Sequence, residues 1–465
     1  MRGKFILLAV LSMLVAGIGQ NLWAATNATV GVCAGPGTHY TTITDAINAA
    51  NITTGSSIHI CPGIYPEQLF VYKAITLLGV KDGTNDAPII IPPSGGVGVI
   101  GTDIYGNPVA AQIFVIATGG SVTIRGLTVD GTGNQLSGCV PQVFDGIYYK
   151  NTSGTIVENS VRNQYQTDYQ DYGGCQNGLA INVESVFSTD TVAISYNSVR
   201  AYQKNGITAS GSATPPSSTG PTVTIAHNYV VGLAATPMNW QGYFFNQATA
   251  GENGIQIGFG ATGTVSSNVV NDNIWGQDTS SDPGDAASGI LIYSSDGITV
   301  SGNTVGSAQF GIAIESDGQG YCGTQENPLS CGSADNTLVT NNRVMGTQIF
   351  DAIDLCSNGN TARGNVLFGS AQSAIHVDDT CSNSSFSLTS GNNNTVGSNN
   401  VNEACAGILT GTGSGNTIGT NVFFNVVNTT LAGDSCTEPT YGPEAAAKKK
   451  PAFRPSPFRP KRRKS

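Results

Sequence analysis

Charged residues are scarce in this 465-residue sequence, at only 11% of the total. Helices are normally rich in Ala, Leu, Glu and Lys, so this scarcity argues against a mainly helical protein. Glycine is abundant instead, at 60 residues, and Asn, Ser and Thr are frequent. This composition favours many short strands that are joined by tight turns.

Long apolar segments are also missing after the first residues of the chain. Residues 5–19 form an apolar run behind the basic residues Arg2 and Lys4. That length is typical of a signal peptide and is shorter than the ~20 residues of a membrane-spanning helix. We therefore expect residues 1–24 to be a cleaved signal peptide, with an uncleaved membrane anchor as the alternative. The mature protein is then expected to be secreted (extracellular, periplasmic or cell surface) and to have no transmembrane segment.

Basic residues are few in the body of the chain. Twenty Lys and Arg oppose 30 Asp and Glu, for a net charge of −10, and nine of the twenty fall within residues 448–464. An acidic body repels nucleic acid, so we expect no nucleic-acid partner. Residues 431–465 are rich in Pro, Lys and Arg, which predicts a disordered basic tail. The tail is either a solvated linker or a contact for an anionic surface.

Two short patterns alternate along the sequence. The first is a small residue followed by alternating apolar residues, as expected of a strand with one buried face; it begins at Gly146, Gly178, Gly206, Gly254, Gly289, Gly311, Ala352, Ala374 and Gly407. The second ends in an asparagine, and its nine members are Asn159, Asn197, Asn228, Asn268, Asn303, Asn342, Asn365, Asn399 and Asn421.

The asparagines recur at spacings of 22 to 40 residues. Asparagine tolerates the left-handed backbone conformation, so we expect it to turn the chain, and stacked asparagines can hydrogen-bond in a ladder. A coil of about 22 residues with insertions on one side fits every spacing. The repeat predicts an all-β fold, a single-stranded right-handed parallel β-helix over residues 25–430, and we expect a monomer. A β-sandwich or propeller is the alternative.

None of the ten cysteines lies in a CxxC pair, which argues against a zinc site. An even number of cysteines in an exported chain indicates disulfide bonds. Because each coil of a solenoid touches only its neighbours, we expect local pairing. The expected pairs are Cys33–Cys61, Cys139–Cys175, Cys322–Cys331, Cys356–Cys381 and Cys405–Cys436.

The start of the repeat region, residues 40–50 and 58–67, resembles the opening of pectin-lyase-like β-helix proteins, notably pectinesterases. The resemblance implies a short N-terminal capping helix followed by the first coils. The spacing of apolar residues agrees with a capping helix, because Ile43, Ala46, Ile47 and Ala50 would lie on one face of it. The catalytic motifs of pectinesterases are absent from the sequence, so the resemblance implies the superfamily and not one activity.

Aligning the strand pattern places ionisable side chains together on the outer surface of the late coils: Glu315, Asp354, His376 and Asp378, with Asp379 on an adjoining turn. Neighbouring carboxylates raise one another's pKa, which suits an acid–base pair. Strand spacing predicts that Asp354 and Asp378 lie about 8 Å apart, as in inverting glycosidases. Outward-facing residues of successive coils stack into columns. The same alignment assigns Ala180 to the column of Tyr148, and Asn182 to the neighbouring column. The alternatives are a solvated acidic strip and a Ca²⁺ site, and the sequence does not identify a metal.

Tyr293 and Trp275 are candidates for a flat sugar-binding platform beside this cluster. The sequence therefore predicts a secreted β-helix protein that acts on or binds a polysaccharide, in the manner of a glycoside hydrolase or a polysaccharide lyase. The alternative is a non-catalytic surface or matrix protein that binds carbohydrate or has a structural role. The sequence does not decide whether the protein is an enzyme.

Overall fold

The structure is a computed structural model. It describes residues 26–436, apart from 82–86, 139–141, 168–176, 213–218, 234–251, 275–286, 317–331, 348–349, 379–390 and 434–435. The predicted signal peptide and most of the predicted tail lie outside the described residues. Within the described part, no helix is long and apolar enough to cross a membrane.

Each coil contributes one strand to each of three faces, which we name A, B and C. Face A is a 14-stranded sheet of β1 (Asn27–Val30), β2 (Thr38–Tyr40), β3 (Ser57–Ile60), β6 (Thr76–Gly79), β10 (Val122–Arg125), β13 (Gly154–Val157), β16 (Thr191–Ser195), β19 (Thr222–Ala226), β22 (Thr262–Ser266), β25 (Thr299–Ser301), β28 (Leu338–Thr340), β31 (Thr361–Arg363), β33 (Thr395–Gly397) and β35 (Thr417–Ile418).

Face B follows the asparagine turn and consists of β4 (Ile64–Pro66), β7 (Ile89–Ile91), β11 (Thr128–Asp130), β14 (Ser160–Gln164), β17 (Ser198–Tyr202), β20 (Tyr229–Val231), β23 (Val269–Asn273), β26 (Thr304–Ala308) and β29 (Arg343–Met345). Face C consists of β5 (Leu69–Val71), β9 (Pro108–Val115), β12 (Val143–Lys150), β15 (Leu179–Glu184), β18 (Asn205–Ser210), β21 (Asn253–Gly258), β24 (Ser288–Tyr293), β27 (Phe310–Glu315) and β30 (Ile353–Cys356). Three long strands continue from face B into face C: β32 (Val366–Val377), β34 (Asn400–Thr410) and β36 (Val422–Ala432).

Among the described strands, the pairings between these coils are parallel, and the short strand β8 (Gly101–Thr102) pairs antiparallel with β9. Alternation places one apolar residue of each strand inside the coil, where it stacks on the residue of the next coil. On face C this inner stack is fully buried and consists of Ile147, Ile181, Ile207, Ile255, Ile290, Ile312, Ile353, Ile375 and Ile408. The predicted all-β parallel β-helix is confirmed.

The predicted asparagine ladder joins all nine asparagines at the corner between faces A and B. In a typical step, the side-chain amide and the backbone N–H of Asn228 both donate to Oδ1 of Asn268, at 3.0 and 2.9 Å. One detail of the prediction was wrong, because the left-handed residue is the one before the asparagine. His227 and Ser267, for example, have φ values of 58° and 56°.

The N-terminal cap is the predicted helix, α1 (Ile43–Asn48). Ile43, Ala46 and Ile47 are buried against the first coil, as expected. Ala50 was wrongly assigned to this face, because the helix ends before it and its side chain is exposed. The Glu67 carboxylate accepts hydrogen bonds from the backbone N–H groups of Ile43 and Thr44, at 2.9 and 2.8 Å, and so satisfies the helix N-terminus.

Two of the expected disulfides are confirmed, Cys33–Cys61 and Cys405–Cys436. Cys356 is also disulfide-bonded, and its expected partner Cys381 lies outside the described residues. The other two expected pairs involve cysteines outside the described residues as well. The disulfides are consistent with an extracellular protein.

A candidate active site on face C

The predicted ionisable residues lie on the outer surface of face C. The outer column continues from coil to coil as Tyr148, Asn182, Thr208, Gln256, Leu291, Ala313, Asp354 and His376. The predicted alignment of one coil was wrong by two residues, because Gly178 belongs to the turn before β15, with φ of +82°. Asn182 therefore pairs with Tyr148, and Glu184, which the sequence analysis missed, pairs with Lys150.

His376 is the centre of the late-coil cluster. Its Nδ1 atom lies 3.2 Å from Oδ2 of Asp351 and 3.7 Å from Oδ2 of Asp378. The other carboxylate oxygen of Asp351 accepts hydrogen bonds from the backbone N–H of Ser373 at 2.8 Å and from its hydroxyl at 2.5 Å. Asp351 therefore fixes the orientation of the imidazole ring.

Asp354 lies beside this pair on the preceding coil, in register with His376. An oxygen of Asp354 lies within 4.8 Å of both Asp351 and His376, and one lies within 4.8 Å of Asp378. The predicted separation of about 8 Å between Asp354 and Asp378 was too long. The prediction used strand spacing and rise alone, and these do not fix the gap between two carboxyl groups at the ends of side chains.

Burial governs the protonation of Asp354. Only 4% of this residue is exposed, and the loss of hydration raises the pKa of its carboxyl group well above the ordinary value. The nearby charge of Asp378 raises the pKa of Asp354 further, although the positive charge of His376 opposes this. The raised pKa favours the protonated form of Asp354, which suits it to donate a proton. Among the described residues, its Oδ1 atom has no hydrogen-bond partner.

His376 is held in its charged form. Burial alone would lower the pKa of His376, but the charge and hydrogen bond of Asp351, followed by the charges of Asp378 and Asp354, outweigh it and raise the pKa to about 10. The Nε2 atom of His376 is buried and has no hydrogen-bond partner in the part of the chain that the structure describes. The cluster thus places an acid with a raised pKa beside an imidazolium.

The remaining predicted site residues lie at the margin or outside the described part. Glu315 is in register with Cys356, and its charge also raises the pKa of Asp354. Tyr293 lies one coil earlier, next to Glu315, and its ring meets that of Phe259 edge-on with centroids 5.4 Å apart. Trp275 and Asp379 lie outside the described residues, so their assignments stay predictions.

An apolar patch adjoins the acidic cluster and was not anticipated from the sequence. The rings of Phe310 and Phe350 stack with centroids 4.5 Å apart and planes 11° apart. They pack with Leu291 and Ala313, the two residues that precede Asp354 in the outer column. Phe310 and Ala313 are buried, whereas Phe350 and Leu291 are partly exposed, so Phe350 is the ring of this pair that could contact the face of a sugar.

The described residues of the cluster do not fit Ca²⁺ well. Asp351, Asp354 and His376 could offer one ligand atom each to an ion, but Ca²⁺ takes six to eight oxygen ligands, and His376 offers nitrogen. The second group, Asp354, Cys356 and Asp378, includes a cysteine that is already in a disulfide and so is not a thiolate.

The charge of Asp351 is expected to set the protonation of His376. In the Asp351→Asn variant the pKa of His376 should fall from about 10 toward its ordinary value of 6.5. Burial lowers this pKa, and the negative charge of Asp351 no longer counteracts that effect. An NMR pH titration measures this directly, since the protein has only four histidines and a His376→Gln sample assigns the resonance. Glu158→Gln, on the asparagine corner, is the control. An unchanged pKa in Asp351→Asn would show that this contact does not govern the histidine.

No protein-family model matches the sequence. No curated protein matches it either. Solved structures with a similar fold include a native GH136 lacto-N-biosidase from Eubacterium ramulus, which is 11% identical with a TM-score of 0.54; the match covers 87% of this chain and 68% of that chain. A variant of the catalytic domain of a GH87 α-1,3-glucanase in complex with nigerose is 12% identical with a TM-score of 0.50, covering 88% of this chain and 68% of that chain. The chain therefore has the pectin lyase-like parallel β-helix fold.

Proposed function

We propose that this protein is a secreted glycoside hydrolase that cleaves a polysaccharide in the groove above face C. The observation that carries the proposal is the pairing of the buried Asp354, whose pKa is raised well above the ordinary value, with the partly exposed Asp378; an oxygen of each lies within 4.8 Å of the other. Two carboxyl groups with different protonation are what glycosidic hydrolysis needs. The solved structures of similar fold support a carbohydrate substrate, since they include a lacto-N-biosidase and an α-1,3-glucanase.

The separation of the two carboxyl groups favours a retaining mechanism. Inverting enzymes need about 6.5–9.5 Å to admit a water molecule, whereas retaining enzymes hold their carboxyl groups about 5–5.5 Å apart. In the first step Asp354 donates its proton to the glycosidic oxygen while Asp378 attacks the anomeric carbon, which breaks the glycosidic bond and forms a glycosyl ester. In the second step the Asp354 carboxylate takes a proton from water, and the resulting hydroxide displaces Asp378.

His376 and Asp351 act as positioning residues in this mechanism. The Nδ1 atom of His376 lies 3.7 Å from Oδ2 of Asp378, so the ring can hold the nucleophile in place. Asp351 holds the ring in place and keeps it protonated. The partly exposed ring of Phe350, which stacks on the buried Phe310, offers an apolar contact for the sugar next to the one that is cleaved. We also propose that the protein is secreted, that residues 1–24 are removed and that the mature protein is a monomer.

Incubation with a panel of polysaccharides tests the proposal. We expect release of new reducing ends from at least one glycan and no absorbance of unsaturated uronate, because the described cluster lacks the free basic side chain that a lyase base requires. Chelation of divalent cations should leave the rate unchanged, because the described ligands do not fit Ca²⁺. Unsaturated products would show a lyase, and binding without any product would favour the non-catalytic alternative.

A further inference from the structure

The hairpin formed by β8 and β9 lies across the outer surface of face C on the early coils. The backbone N–H of Ile104, in the turn of the hairpin, donates to Oε2 of Glu184 on β15 at 3.3 Å. The hydroxyl group of Tyr105, the next residue, donates to the backbone oxygen of Gly211 at 2.7 Å. Gly211 directly follows β18, so the hairpin covers the outer surface as far as that strand and ends before β21.

Gln256, on β21, is the first residue of the outer column beyond the hairpin that is open to solvent. Asn182 and Thr208, on the two coils before it, are 2% and 4% exposed. Gln256 is partly exposed, and so is Tyr293 on the following coil. The open part of the groove therefore begins at Gln256 and runs toward Asp378, which is also partly exposed.

The side-chain amide of Gln256 has a fixed orientation. Its Oε1 atom accepts hydrogen bonds from the amides of Asn205 and Asn253, at 2.9 and 3.2 Å. The orientation of Asn253 is itself set, because its Oδ1 atom accepts from the backbone N–H of Ser288 at 3.0 Å, which leaves its Nδ2 atom as the donor. The Nε2 atom of Gln256 is therefore directed away from both asparagines, and it has no hydrogen-bond acceptor among the described residues.

This donor lies beside a position of the same strand that has no side chain. A Cβ atom at Gly258 would lie 3.6 Å from Nε2 of Gln256 and 3.3 Å from the backbone oxygen of Tyr293. Tyr293 is the register partner of Gly258, and its partly exposed ring meets that of Phe259 edge-on with centroids 5.4 Å apart. The space above Gly258 thus has a hydrogen-bond donor on one side and aromatic rings on another.

We propose that Gln256, Gly258 and Tyr293 form the last sugar-binding subsite of the groove, which holds a sugar of a linear oligosaccharide away from the bond that is cleaved. The amide of Gln256 donates to an oxygen atom of that sugar, and the ring of Tyr293 contacts its apolar face. The hairpin beyond this point closes the groove to further sugars on the same side.

The position of the subsite gives its distance from the cleaved bond. Gln256 and Asp354 lie in the same outer column, three strand spacings or about 14 Å apart. A sugar in an extended chain spans a length similar to one strand spacing, so the subsite holds about the third sugar from the bond. The protein should therefore distinguish oligosaccharides that reach Gln256 from shorter ones, and it should gain nothing from longer ones.

The inference rests on the proposed function for its ligand class, and binding without turnover tests it. The full chain with Asp354→Asn is titrated calorimetrically with oligosaccharides of β-1,4-glucan, α-1,3-glucan, xylan and chitin, from the disaccharide to the hexasaccharide. In at least one series we expect the affinity to rise by about tenfold at one chain length, the effect of one hydrogen bond with its apolar contact, and to stay level beyond it. Adding Gln256→Leu should remove this step and leave the affinity for the shorter members unchanged.

Gly258→Ala is the second variant, and it leaves the hydrogen bonds of Gln256 to the two asparagines in place. Its methyl group would fill the space next to Nε2 after a small shift, so the same step should disappear. Gly95→Ala is the matched control, because a Cβ atom there meets nothing within 4 Å, and it should bind like the parent.

Three results would overturn the inference: no binding of any series, an affinity that does not depend on chain length, and a step that survives both Gln256→Leu and Gly258→Ala. A wild-type protein that cleaves glycans while the step survives both variants contradicts the inference alone. Loss of the step in both variants of a protein that cleaves no glycan contradicts the proposed function alone.

Discussion

Asp354→Asn is expected to lower kcat for glycan cleavage by a factor of about 10²–10⁴, the usual contribution of a general acid. Asparagine keeps the shape of the side chain but cannot donate a proton to the glycosidic oxygen. The protein should remain folded, since the substitution replaces a buried acid, whose charged form burial disfavours, by a neutral group of the same size. The measurement is the rate of reducing-end release at saturating glycan, with thermal unfolding as the check on folding.

Glu158→Gln is the matched control for this experiment. Glu158 is an exposed acid that pairs with Arg125 at 3.0 Å on the asparagine corner, and such pairs contribute little to stability. Its kcat should equal that of the wild type. Equal rates in Asp354→Asn and the wild type would show that another group supplies the proton.

Removing one rung from the middle of the asparagine ladder is expected to cost about 3–5 kcal/mol of unfolding free energy. In Asn268→Ala the backbone N–H and amide of Asn228 lose their acceptor, at 2.9 and 3.0 Å in the intact protein. The backbone oxygen of Ile225 loses a donor at 2.9 Å. These groups are buried, so each unsatisfied donor or acceptor costs about 1–3 kcal/mol. Chemical denaturation and hydrogen exchange of the coils around residue 268 measure the loss.

Asn421→Ala provides the comparison at the end of the ladder. Asn421 accepts from the backbone and amide of Asn399 at 2.9 and 3.0 Å, but its own amide is exposed and donates to Gly419. Water can replace its contacts, so we expect a loss of about 1 kcal/mol or less. If both variants lose the same stability, burial of the ladder is not what makes its hydrogen bonds important.

The sequence predicts the stacked coils well because each coil of a β-helix repeats the same short residue pattern. The asparagines at one corner and the isoleucines inside face C recur once per coil, and every predicted member of the ladder occupies its expected place. Two disulfides follow from the same logic, since neighbouring coils bring their cysteines together. Pairing between neighbouring coils and the once-per-coil recurrence of residues therefore determine most of the fold.

The site is less predictable because it depends on departures from the repeat. The contact between Asp351 and His376 joins a turn residue to the next coil, and no periodic pattern indicates it. The short gap between Asp354 and Asp378 depends on side-chain directions, which strand spacing does not contain. Glu184 was missed because the turn at Gly178 shifts that coil by two residues. Aligning on the inner Ile181 in place of the glycine would have revealed Glu184.

A proton NMR spectrum of a glycan during the first turnovers by the wild-type protein tests the central claim most directly. We predict new reducing-end anomeric signals that have the configuration of the cleaved linkage, because the carboxyl oxygens of Asp354 and Asp378 lie within 4.8 Å of each other. Signals of the opposite anomer would contradict the retaining mechanism. Vinylic signals of an unsaturated uronate, or no new anomeric signal from any glycan of the panel, would contradict the assignment of this cluster as the active site of a glycoside hydrolase.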